Sequence, residues 1–184
     1  MTREFEFVAG SLSLNLIDTV ATRTNAPTEL LAVPAQFERW VNAAGFEQAV
    51  RIDADRLAKA RGLREAAHGV LAAVLAGDTP PASAINELND WARLPGLRAQ
   101  FVDGKVVMTS ADPFEAVLAT IAQDALLLLS ADKRDRLRRC PGCDMLFFDQ
   151  SRPGKRRWCS SASGCGNRAK VRRHRQRHKL QDSS

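Results

Sequence analysis

Tyrosine is absent from this chain, and its first 139 residues contain no cysteine. The second absence excludes a disulfide framework for most of the molecule, so that part must fold on a hydrophobic core. At 45% hydrophobic residues the composition supplies one. No apolar run approaches the ~18 residues of a membrane span. Met1-Thr-Arg-Glu-Phe-Glu-Phe7 has neither the basic start nor the apolar middle of a signal peptide. The expectation is a soluble, cytoplasmic protein with no membrane role. Internal repeats and low-complexity tracts are also missing. Residues 1–139 show no nucleophile–base set, phosphate-binding loop or paired carboxylates, so an enzyme is not expected. His68, Trp40 and Trp91 fall on helical patterns and are read as packing residues.

Charge is plentiful but divided. Residues 133–184 hold 16 Lys+Arg against 4 Asp, a net of +12, whereas residues 1–132 hold 11 Lys+Arg against 17 Asp+Glu, a net of −6. Two such segments are expected to do different jobs, and a basic one seeks phosphate or an acidic surface.

The first 139 residues read as a mainly α domain with one small β-hairpin, an α+β arrangement. Ser11–Ala21 fits a helix, or a strand followed by a helix, and residues 22–33 read as a loop. Pro34 opens a helix with Phe37, Trp40, Val41 and Ala44 on one face. Asp53 is a natural N-cap for a long helix that Gly77 closes, with Leu57, Leu63, Ala67, Val70, Leu71 and Val74 as its stripe. Ile85, Leu88 and Trp91 mark a shorter one. Asp103-Gly104 between Leu97–Val102 and Lys105–Thr109 predicts a hairpin with a type I′ turn. Asp112-Pro113-Phe114-Glu115 is a strong helix start, and that helix should reach about Leu129. A short basic helix over 132–139 is expected next. Asn15 and Asp18 interrupt an apolar stretch; they either cap backbone or form a candidate ligand site for a small-molecule effector.

All four cysteines lie in residues 140–184. Cys140, Cys143, Cys159 and Cys165 are spaced C-x2-C-x15-C-x5-C, which reads as one structural zinc with four thiolate ligands. Four thiolates leave no open position for a catalytic water. His174 and His178 have the H-x3-H spacing of a zinc finger, but thirty residues separate Cys143 from His174, against the ~12 of a C2H2 finger. Cys140-Pro-Gly-Cys143 is a knuckle, with Gly142 expected to permit the tight turn. Strands over 145–148 and 156–158, turning at Arg152-Pro153-Gly154, should return the chain to the metal, and Cys165 should open a final helix. Knuckle, hairpin and ligand-bearing helix make a treble-clef or zinc-ribbon-like finger followed by a basic helix.

Trp158-Cys159-Ser160 and Cys165-Gly166-Asn167-Arg168 through His174 resemble the CGNR-type zinc-finger proteins, and Asp149–Arg152 resembles the link after that family's aromatic strand. Leu12–Thr19 resembles the start of the ABATE domain that precedes the finger in that family. The resemblance implies a stress-induced transcription regulator, with DNA or RNA as the partner.

The residues themselves point to nucleic acid. Arg168, Lys170, Arg172, Arg173, Arg175 and Arg177 crowd the last helix, while Arg152, Lys155, Arg156 and Arg157 form a second basic patch. Arginine can pair bidentately with guanine, which favours DNA. Without tyrosine, and with one tryptophan in the module, base stacking of the RNA-binding kind has little to build on. Asn167 reads as a local hydrogen-bonding residue, with a base contact as the alternative. A protein-interaction role, with the basic tail docking on an acidic surface, is a third reading. A single reading helix often needs a dimer for specificity, which makes a homodimer a candidate, although no coiled-coil heptad argues for one here.

Overall fold

The computed structural model describes residues 5–24, 26–47, 50–160 and 164–181, with side chains through Gln176. Among the described residues it holds seven helices and three two-stranded antiparallel ladders. The first helix, α1 (Leu12–Ile17), is almost wholly buried. Its N-terminus is capped from far along the chain. The Asp124 carboxylate accepts the Ser13 amide at 2.8 Å and the Ser13 hydroxyl at 2.6 Å, and also the Ser11 hydroxyl. A buried helix end needs such partners for its free N–H groups. Strand then follows helix, in the opposite order to the strand-first alternative. Val20–Ala21 (β1), at the end of Ser11–Ala21, pairs with Thr28–Glu29 (β2), which lies inside the segment expected to be loop.

Local signals account for the remaining helices of this part. α2 (Pro34–Ala43) buries Phe37, Trp40 and Val41. α3 (Ala54–Ala76) starts where the Asp53 side chain accepts the Arg56 amide and stops at Gly77 in the left-handed region, φ 80°. α4 (Ala82–Ala92) buries Leu88. In the hairpin β3 (Arg98–Val102) and β4 (Lys105–Thr109), Asp103 and Gly104 both take positive φ, 50° and 79°, as a type I′ turn requires. α5 (Pro113–Leu127) begins with Asp112 accepting the amides of Phe114 and Glu115. It lies at the centre of the molecule, packed against α1, α3 and α4.

α3 also carries a charge into the interior. Arg64 is 3% exposed. Its guanidinium grips Glu29 with bonds of 2.7 and 2.6 Å and reaches Thr19 at 3.1 Å. Burial alone would raise the Glu29 carboxyl, but Arg64 and the Leu31 amide hold it below its ordinary value of 4.5. The two-residue ladder β1–β2 is thus pinned to α3 by an ion pair.

Beyond α5 the structure departs from the expected strand pattern. The basic helix is only α6 (Ala131–Arg134), and Leu137–Arg139 is a strand, β5. It pairs with β6 (Leu146–Phe148), so the hairpin encloses the Cys140–Cys143 knuckle. Residues 156–158 form no strand. The reason is the knuckle itself. Asp144 N–H donates to Cys140 O, and Cys140 N–H donates to Met145 O, each at 2.9 Å, so the chain reverses within it and brings 146 back over 139. The ladder straddles the division expected at residues 139 and 140. Its Leu137 and Phe147 join the same core as α1 and α3. The Phe148 amide donates to Ala9 O at 2.7 Å, and Gln150 donates to Gly10 O at 3.0 Å. The last element is α7 (Cys165–Gln181).

Candidate metal centre and nucleic-acid interface

Three pieces of chain deliver four sulfurs to one point. Cys140 and Cys143 come from the knuckle, Cys159 from the loop after β6, and Cys165 from the first residue of α7. Their Sγ atoms all lie within 4.8 Å of one another. None is in a disulfide, and Cys143 Sγ is 3.5 Å from Cys159 Sγ. Ligands at ~2.3 Å from a tetrahedral zinc stand roughly 3.8 Å apart, so the cluster has the size that ion needs. Its electrostatics agree. Burial and the neighbouring Cys159 push the Cys140 thiol up; burial, Cys159 and Cys165 push Cys143 up strongly. Thiolates cannot share this space without a cation, and a divalent ion supplies the missing charge. The site takes one structural zinc.

The residues around the sulfurs explain the local sequence. Gly142 is needed for closeness and not for the turn. A Cβ there would sit 3.0 Å from Cys165 Cβ and 3.1 Å from its sulfur. The residue that takes the left-handed turn is Asp144, φ 58°. Trp158 lies between Gly142 and Gly166; a Cβ on either glycine would meet its ring at 3.3 Å. Arg168 turns back and donates to Cys165 Sγ at 3.3 Å, the kind of outer-shell bond that orients a ligand.

Asp149, which stands out in the sequence only as part of the family link, is fully buried and organises the loop after β6. It accepts the amides of Ser151 at 2.9 Å and Arg156 at 2.7 Å. Burial would raise its carboxyl, and these hydrogen bonds outweigh that and lower it. Arg136 closes the other side of the loop by donating to Asp149 O and Ser151 O. Neither role has a local signal, because each depends on where the loop after β6 returns.

The basic residues fall into two groups. Arg152, Lys155, Arg157, Arg168, Lys170, Arg172, Arg173 and Arg175 are exposed. Arg156 is half-buried instead, with its guanidinium 4.5 Å above the Phe147 ring. The side chains of Arg177 and His178 lie outside the described residues. On α7 only Cys165 and Ala169 are buried among residues 165–176, so the helix rests on the module by its first turn and offers its remaining surface to solvent. Asn167, Arg168, Val171, Arg172 and Arg175 line a groove beside Gly142.

Asn15 and Asp18 have separate roles. Asn15 caps backbone, its side-chain oxygen accepting the Ala9 amide at 3.0 Å. Asp18 lines a cleft of about 20 Å³ with Arg23, His68, Cys143 and Asp144, which has room for about one water molecule. Burial, aided by Arg23, lowers His68 to about 4, so it is neutral at physiological pH.

Among the described residues no helix is long and apolar enough to cross a membrane. No curated protein matches the chain. Two family models do. The CGNR zinc finger matches residues 136–178, which includes the ladder as well as the four cysteines. ABATE, described as putative stress-induced transcription regulator, matches residues 10–132. The chain belongs to the ABATE family and carries a CGNR zinc finger in its C-terminal part.

Proposed function

We propose that this protein is a transcription regulator that binds duplex DNA through α7, with the zinc centre as the clamp that holds the helix. The observation that carries the reading is the anchoring of α7. The zinc ligand Cys165 and, one turn on, the buried Ala169 fix its start, and exposed cations cover most of the rest. A charged helix of this kind repels itself in isolation and is stabilised by a polyanion. Its 17 residues, at ~1.5 Å each, give a rod long enough to lie in a major groove.

The RNA reading uses the same cations, but the module's one tryptophan is packed between two glycines and is not free for a base to stack on. In this proposal the helical domain mediates association or sensing. The cleft at Asp18 is too small for an organic effector, and a homodimer would give the single helix its specificity. Sedimentation velocity of the full chain checks the dimer. The reading as a whole is tested by fluorescence anisotropy of the zinc-loaded protein on a mixed-sequence duplex, competed by structured RNA. Poor displacement by RNA is expected. Displacement at much lower RNA concentrations moves the assignment to RNA, and no binding to either leaves a protein-interaction module.

A further inference from the structure

Three of the four residues in Cys165-Gly166-Asn167-Arg168 have a task inside the module. Cys165 supplies a sulfur, Gly166 makes room for Trp158, and Arg168 donates to Cys165 Sγ. Asn167 is exposed, and its side chain makes no hydrogen bond among the described residues. One turn further on, Val171 is 44% exposed on a helix whose other outward residues are polar or charged. The fold buries neither side chain, so both are available to a ligand.

Their placement is specific. At about 100° per residue, Asn167 and Val171 form a stripe turned away from Cys165 and Ala169, with His174 beside Asn167, and both border the groove next to Gly142. Lys170 stands about 80° to one side of the stripe, and Arg175 and Arg168 about 60–80° to the other. A polar and apolar strip with cations on either flank suits a major groove, where base edges lie between two phosphate backbones.

We infer that Asn167 and Val171 are the base-reading residues of α7 and that they select adenine–thymine pairs in duplex DNA. The inference rests on the duplex-binding function proposed above. The Asn167 amide has the donor and acceptor that adenine N7 and N6 require, and the Val171 side chain is an apolar partner for the thymine methyl. Four residues along a helix span about 6 Å, close to two base steps of ~3.4 Å, so the two contacts fall on pairs about two steps apart.

The test compares an alternating adenine–thymine duplex, the same duplex with uracil in place of thymine, and a guanine–cytosine duplex of equal length. The zinc-loaded full chain is measured beside Val171→Ala and Asn167→Ala, whose zinc content and helicity should be unchanged because both positions are exposed. Wild type should bind the thymine duplex about fourfold more tightly than the uracil duplex, the effect of one methyl group removed from water. Val171→Ala, which keeps only a Cβ methyl, should narrow that difference. Asn167→Ala should lose about tenfold of the preference for adenine–thymine over guanine–cytosine. Equal wild-type affinity for all three duplexes overturns the base-reading inference and leaves the duplex-binding function standing. A thymine preference undiminished in Val171→Ala overturns the assignment of that residue. No binding to any duplex overturns both the inference and the function beneath it.

Discussion

The two longer ladders have opposite fates. β3–β4 is built by its turn and stands in water. Phe101 is 75% exposed and Val106 68%, and with Ala99 and Met108 they share one face of the hairpin. β5–β6 is built by a metal knuckle and stands in the core, with Phe147 fully buried and Leu137 1% exposed. A two-stranded hairpin is marginal alone, so each needs support of some kind. The first has its Asp103-Gly104 turn; the second has zinc at its tip and α1 and α3 behind it. A strand pair can therefore be specified by a local signal or by a distant one.

Removing the metal should separate the two most. Zinc in such modules contributes roughly 10 kcal/mol. On chelation, the amides of 137–148 should lose their protection from hydrogen exchange while those of 98–109 are unchanged. Equal behaviour of the two segments would break the comparison. The next effect is in packing. Phe147→Ala should cost about 3–5 kcal/mol, whereas Phe101→Ala should stay within about 0.5 kcal/mol, as read by denaturant unfolding.

The third ladder, β1–β2, sharpens the contrast because an ion pair holds it. Glu29 titrates below its ordinary value in the folded chain. Its contribution is therefore complete above the ordinary carboxylate value and is lost as pH falls through the lowered one. Arg64→Met should lower stability at neutral pH and flatten this acid limb relative to wild type; an unchanged limb would assign acid sensitivity elsewhere. The smallest effect belongs to the β3–β4 turn. Gly104→Ala meets no neighbouring atom but is strained at φ 79°, and should cost about 1 kcal/mol in the same unfolding measurement.

The same contrast explains what could be read in the sequence. Asp53, Asp103-Gly104 and Asp112-Pro113 act on their own neighbours, and each element they mark is present. The four cysteines announce themselves by spacing and meet at one point. Asp124 caps a helix more than a hundred residues away, and Arg64 is a buried charge on a helix face that looks mixed. The β5–β6 pairing has no local mark either, because the three residues before Cys140 read as the end of a basic helix. Only the reversal inside the knuckle makes them a strand.

If exposed cations of α7 contact phosphates, duplex affinity must depend steeply on salt. With about six contacts, log K for a duplex should fall against log salt with a slope of about −5. Replacing Arg172 and Arg175 together with glutamine should reduce that slope to about −3.5. A slope that the double substitution leaves unchanged would place the DNA-binding surface away from this helix.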